Sequence, residues 1–272
     1  MATPPSQVLA AKGILAALQL SLVAAASSAA DTAGGSGAQD FRAGFNSLGA
    51  FASVNHLHWH TGFMREVFGG ASTTPAAFPC ELSPRTTVLE APGLLRLSRT
   101  TAWPLPLLVF EALPVIPRPR GISARQGATA AAAAALGAAQ AVLARVAGTV
   151  VSALQAANTP HSVLITDGGL TLLLAPRRGQ SFLQGLQQQG ALTAGLNLAV
   201  AEVCGLAVAL TQEAYDGLTD AAYTAMLRAA ALPEPEFEGI VGVAEKAVAG
   251  EAAAARGVQL QNSPVPAMPG LT

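Results

Sequence analysis

Apolar residues Ile14, Leu15, Leu18, Leu22 and Ala25 recur three and four positions apart, while Gln19, Ser21 and Ser28 fall elsewhere, so residues 12–30 read as an amphipathic helix. The period then changes. A run rich in Gly, Ser and Ala over 31–39 reads as a loop, and beyond it Leu57 and Trp59 alternate with His56, His58 and His60. In an extended strand that alternation sets the three histidines in a row on one face and turns Leu57 and Trp59 to the other. Residues 69–84 form a proline-bearing loop closed by Pro84. Leu94 to Leu97 fits a strand, and the apolar run Leu105 to Glu111 fits another, with Pro106 demoting its start to an edge position.

The prolines Pro114, Pro117 and Pro119 mark an internal boundary. Ser123 is placed to cap a long helix over 124–157, which Gly127, Gly137 and Gly148 are expected to bend or break. His161 to Ala175 reads as a hairpin turning at Asp167-Gly168-Gly169. Residues 179–195 read as a loop or short helix, and Leu206 to Leu210 as a further strand. Thr211 caps a helix to about Ala231, Pro233-Glu234-Pro235 breaks it, and a last helix restarts over 236–255. Helices mixed with hairpins give an α+β class. The expected division is 8–115, carrying the histidine strand, then a helix-rich α+β half over 120–256, then a disordered tail over 257–272.

Composition narrows the function. The chain has 272 residues, 51% of them apolar, enough for a substantial core, although much of that fraction is alanine, which buries little area. A formal charge of −1 excludes the clustered Lys and Arg of a nucleic-acid surface. Cys80 and Cys204 set no disulfide framework and lack metal-type spacing, so a reducing compartment is the simple reading. Lys12 followed by an apolar run imitates a secretory signal, but the helical stripe there favours a packed helix. The run is too short and alanine-rich for a membrane span.

The histidine row carries the chemistry. A neutral imidazole can attack a phosphorus in line and form a phosphoramidate, while its neighbours donate to the non-bridging oxygens. Asn46, Ser47, Gly49 and Ser53 upstream supply short hydrogen-bonding groups and a close backbone approach to ribose and phosphate. Alternate histidines could instead bind zinc or another transition metal, with Glu66 the nearest acidic candidate, or be satisfied inside a core. Spacing alone leaves these three readings open.

The stretch Phe45-Asn46-Ser47-Leu48-Gly49-Ala50-Phe51-Ala52-Ser53-Val54-Asn55-His56-Leu57-His58 resembles the histidine-triad signature of the GDP-D-glucose and plant-type GDP-L-galactose phosphorylases. Val163-Leu164-Ile165-Thr166-Asp167-Gly168-Gly169, Asn197-Leu198-Ala199-Val200-Ala201-Glu202 and Glu213-Ala214-Tyr215 are similar in order and spacing to the later half of that family, and Ile14 to Ala26 to the helix before its motif. The resemblance implies a histidine-triad-like antiparallel sheet with packed helices, and a guanylyl transfer needing no cofactor or metal. His58 would attack the α-phosphorus of a GDP-hexose, His56 would orient it, and inorganic phosphate would then collect the guanylyl group as GDP. Asn46, Ser47, Gly49 and Ser53 would line the ribose and phosphate side. The partners implied are GDP-hexose and phosphate, with no nucleic acid and no membrane; the family is cytosolic, and in plants the step belongs to ascorbate synthesis.

Two departures from that pattern set the alternatives. His60 stands where the resemblance leads one to expect glutamine, and a histidine there is typical of triad hydrolases, in which water resolves the intermediate. Only 55 residues precede His56, whereas the family carries a long portion before its motif, so the first half is expected to be incomplete. A histidine-triad nucleotide hydrolase is therefore one alternative. A truncated non-catalytic member that binds a partner or stabilises a longer relative is the other, and a homo-oligomer is a further expected association.

Overall fold

In the computed structural model, residues 9–31, 41–54, 56–64, 77–114 and 125–261 are described. Their strands are β1 (Phe41–Asn46), β2 (His60–Phe63), β3 (Arg85–Ala91), β4 (Leu95–Thr100), β5 (Leu108–Ala112), β6 (His161–Thr166) and β7 (Thr171–Pro176). They form one antiparallel sheet in the order β2-β1-β6-β7-β5-β4-β3. The two strands from 120–256 thus lie side by side between two groups of strands from 8–115 in a single sheet, because β1 pairs with β6 and β5 with β7.

Both faces of the sheet are covered, which is why β6 and β7 read as continuous apolar runs rather than alternating ones. Val163 and Ile165 point into one core, against α1 (Ala11–Asp31), α2 (Arg125–Ala156) and α7 (Glu234–Gln261). Leu164 and Leu173 point into the other, formed with α3 (Gln180–Gln188), α4 (Val200–Val203) and α6 (Asp220–Ala230), while α5 (Gln212–Gly217) contributes no residue to it. The turn of the β6–β7 hairpin falls at Asp167–Gly169, where Asp167, Gly168 and Gly169 all take positive φ. An α+β fold is what the mixture of helices and hairpins predicts.

The first helix spans Ala11–Asp31 and buries Ile14 and Leu18 completely. Ser21, expected on an outer face, is instead buried and returns its hydroxyl to the Ala17 carbonyl at 2.8 Å, the usual way a helix absorbs an inward serine. The expected break in the long helix is absent: α2 runs through Gly127, Gly137 and Gly148. Gly148 has a packing role, since a Cβ there would lie 2.7 Å from the Ala11 Cβ, so its missing side chain lets α1 approach α2. Leu143, Val146, Val150 and Val151 of α2 are all buried, each worth roughly 1.5–3 kcal/mol of transfer free energy. Residues 130–156 of α2 would also be long and apolar enough to cross a membrane, but here that face is occupied by the sheet and by α1 and α7.

Other expectations are corrected. No strand forms over Leu206–Leu210; only an isolated bridge, Leu196 to Ala209, is made there, and Val208 and Leu210 are exposed. The helix from Thr211 is two helices: the Thr211 hydroxyl accepts from the Ala214 amide, the chain opens at Leu218, and the Thr219 hydroxyl caps α6 by accepting from Ala222. The last helix continues past Gly257 to Gln261. Strand β3, whose exposed Thr86 and Thr87 give no alternating pattern, has no sequence signal because it is an edge strand. Ser123, Pro117, Pro119, Glu66, the loop residues 32–39 and the tail from 262 lie outside the described residues.

Two glycines of α2 separate close packing from helix propensity. Gly148→Ala should lower stability by about 1–3 kcal/mol through overpacking against Ala11. Gly137→Ala, with nothing within 4 Å of the new methyl, should raise it by about 0.5–1 kcal/mol. Urea midpoints of the two variants moving in the same direction would contradict this account.

Candidate active site

Strand β1 is buried along its whole length. Phe41, Ala43 and Phe45 face the α1–α2 core, so Arg42, Gly44 and Asn46 face the opposite side. Pairing of Gly44 with His60 and of Arg42 with Gly62 places His60 and Gly62 on that second side as well. Trp59 turns the other way and meets Phe45 at 5.5 Å between ring centroids, as Phe63 meets Phe41 at 5.2 Å.

The row of imidazoles is present, but not on a strand. The strand begins only at His60; His56 sits in a bend and His58 in an irregular segment, and Leu57, expected to anchor the opposite face, is 43% exposed. The irregular backbone brings the rings closer than a regular strand would. Ring centroids lie 5.7 Å apart for His56 and His58 and 4.8 Å for His58 and His60.

Hydrogen bonding fixes the tautomers. His58 Nδ1 lies 3.2 Å from the His56 carbonyl oxygen, which can only accept, so this nitrogen carries the proton. In the neutral ring Nε2 then keeps its lone pair. That Nε2 is 3.1 Å from His60 Nε2, which must donate to it. The hydrogen bond between His56 and His58 is thus made by the His56 backbone carbonyl and not by its ring. Partial desolvation holds His60 below the ordinary histidine pKa, and a charge on His58 would lower it further.

The four upstream residues divide. Asn46 and Ser47 are buried and tied to β6: the Ser162 hydroxyl donates to Asn46 Oδ1 at 2.8 Å, and the His161 amide donates to Ser47 Oγ at 2.8 Å. Gly49 has φ +78° and packs against Pro160, where a Cβ would come within 3.1 Å of the proline ring. Ser53 is exposed. The structure thus brings Asn46 to the histidine face of the sheet and leaves Ser53 open.

Beside His60 a cleft of about 170 Å³ runs along the same face. Its lining includes Arg42, Gly44, Gly62, Met64, Phe78 and Val200. Arg42 is itself held by Glu81 through two hydrogen bonds of 2.8 and 2.9 Å, a buried bidentate pair. Among the described residues no group of three His, Cys, Asp or Glu side chains is placed to share a metal ion.

A sequence profile described as "GDPGP1-like, C-terminal domain" matches residues 79–248. The chain belongs to this family. The matched region begins beyond the histidine row and supplies β3 to β7 and most of the helices, so the GDPGP1-like portion builds the sheet onto which β1 and β2 are paired. Among curated proteins, GDP-L-galactose phosphorylase 1 of Arabidopsis thaliana is 26% identical over 209 residues, 76% of this chain and 40% of the relative. GDP-L-galactose phosphorylase 2 of the same plant is 26% identical over 204 residues, covering 74% and 39%. The chain therefore spans about 40% of the length of these relatives. No solved structure matches.

The GDPGP1-like portion also carries buried polar groups that sequence reading missed. Arg177 is fully buried; its guanidinium donates to the Leu198 carbonyl and lies 5.6 Å from the Phe51 ring centroid. Burial pushes its pKa down to about 9 and that of the nearby Glu202 up to about 7, each partly opposed by the other's charge. Arg177 Nη2 and Glu202 Oε2 have no hydrogen-bond partner. The one available signal was a pair of arginines directly after an apolar strand in a chain with 11% charged residues, and no periodicity distinguishes such a buried arginine from a surface one.

His161, the fourth histidine, underlies the same loop. Its Nδ1 donates to the Thr159 carbonyl at 3.1 Å, its Nε2 is buried without a partner, and burial pushes its pKa down to about 4. A lowered folded-state pKa means that the neutral form stabilises the fold above the unfolded value near 6.5, and that this contribution is lost as pH falls from there to about 4. Relative to His161→Phe, the wild-type chain should lose roughly 3 kcal/mol across that window, read by denaturant unfolding at a series of pH values. Parallel pH dependence in the two proteins would refute the assignment.

Proposed function

We propose that this chain acts on a guanosine-diphosphate sugar by guanylyl transfer through His58, as a GDP-hexose phosphorylase. The observation that carries the reading is the tautomer of His58: its Nδ1 proton is committed to the His56 carbonyl, which leaves the lone pair on Nε2, facing His60. The cleft beside His60 offers the base a mostly apolar slot along the same face. The names of the two plant relatives point to the same reaction class.

In this mechanism substrate binding draws the His60 N–H away from His58 Nε2 and onto a non-bridging oxygen of the α-phosphate. Freed of that donor, His58 Nε2 attacks the α-phosphorus. The bond from the α-phosphorus to the bridging oxygen breaks, and hexose 1-phosphate leaves with the β-phosphate. Inorganic phosphate then attacks the guanylyl phosphorus, the P–N bond breaks, and GDP departs with the histidine restored. A second reading rests on the His58–His60 hydrogen bond: a proton-bearing imidazole so close to the intermediate can also serve water, giving GMP in place of GDP.

Protein incubated with a GDP-hexose labelled in the guanylyl group should acquire label on His58, release GDP only when phosphate is added, and lose both properties in His58→Ala. Nucleotide binding with no adduct and no product would favour the non-catalytic reading. His60→Gln, which keeps a donor but removes the titrating ring, should shift the product ratio from GMP towards GDP, measured by chromatography of the reaction. An unchanged ratio would remove His60 from the choice between water and phosphate.

A further inference from the structure

The approach to the histidine row is held by a residue far away in sequence. After β1 the chain turns tightly, with the Ala50 amide donating to the Ser47 carbonyl at 3.0 Å, and then leads through Phe51 towards His56. Phe51 has φ +62°, a conformation that costs a non-glycine residue about 1 kcal/mol or more and persists only where contacts impose it. Those contacts converge on the first turn of α3. The Gln180 amide donates to the Gly49 carbonyl at 2.6 Å, and the Gln180 side-chain oxygen accepts from the Phe51 amide at 3.0 Å. One residue thus grips the loop on both sides of Ala50, while the Arg177 guanidinium lies against the Phe51 ring.

We infer that Gln180 is a positioning residue for His58: by holding Gly49 and Phe51 it sets the course on which the chain enters the histidine row. The inference rests on the reading of His58 as nucleophile only for its catalytic consequence; the placement of the rings is independent of it. Among the described residues between β1 and β2 none pairs in the sheet, so the His58–His60 contact takes its geometry from the preceding loop and from the packing of Trp59. Gln180 and Phe51 also join two parts of the chain of different standing, since α3 lies within the family-matched region and the loop lies outside it.

The test compares Gln180→Met, which keeps length and apolar bulk but removes the acceptor, with Gln180→Glu, which keeps an oxygen in place and adds a charge that suits a helix N-terminus. The readouts are the imidazole titrations of His58 and His60 by NMR and the rate of His58 labelling by GDP-hexose. In Gln180→Met the His60 titration should move up towards the ordinary value near 6.5 as the paired rings separate, and labelling should slow by between about ten and a hundredfold. Gln180→Glu should keep the wild-type titrations and a rate within about threefold of wild type. Unaltered titrations in Gln180→Met would overturn the proposal, and so would equal impairment of the two variants. If the titrations respond as stated but the wild-type protein takes no label, the guanylyl-transfer reading fails and the positioning role stands.

Discussion

Strand β1 is hydrogen-bonded to β2 on one side and to β6 on the other, and all six of its residues are buried. Through the first pairing it carries the histidine row; through the second it joins the part of the chain shared with the GDPGP1-like family. Its alternation allots Phe41, Ala43 and Phe45 to the helical core and Arg42, Gly44 and Asn46 to the cleft side. A one-residue slip against β6 would exchange those two sets, drive an arginine into the apolar core and turn His60 away from the cleft. The register is therefore held by the same burial that holds the fold, and the position of the candidate site follows from it.

The chemistry around that strand depends more on desolvation than on opposed charges. His60 and His161 are both kept towards neutrality by loss of water, and the tautomer of His58 is set by a backbone carbonyl. No acidic side chain hydrogen-bonds any of these rings among the described residues. A neutral imidazole has an available lone pair, whereas one paired to a carboxylate is drawn towards the protonated form. Of the buried charges, Arg177 lies under the loop before the row with its guanidinium against the Phe51 ring, and Arg42 at the cleft is paired with Glu81.

Much of the fold was legible because long, strongly patterned segments depend mainly on local physics. The helix over Ala11–Asp31, the β6–β7 hairpin with its Asp-Gly-Gly turn, and the caps at Thr211 and Thr219 follow from hydrophobic spacing and side-chain chemistry, although the second cap and the break before it escaped the reading. The unbroken α2 was not legible, since a glycine that weakens an isolated helix is favoured where another helix must approach closely, and the approach of Ala11 to Gly148 is a tertiary fact. The expected strand over Leu206–Leu210 failed for a similar reason. Its apolar residues line a cleft and the protein surface, and only Ala209 pairs, in a single bridge to Leu196.

By itself the sequence determined the residue types of the site, the two-residue spacing of His56, His58 and His60, and the α+β class, because these are written in adjacent or regularly repeated letters. Only the tertiary structure decided that the row is an irregular segment leading into β2, that the His56 carbonyl rather than its ring hydrogen-bonds His58, and that Gln180, Arg177 and Pro160 contact the loop in front of it. Each of those partners is more than a hundred residues from the loop it touches. Such contacts arise when β1 docks beside β6, and no local pattern of letters encodes which distant side chain will then be within reach.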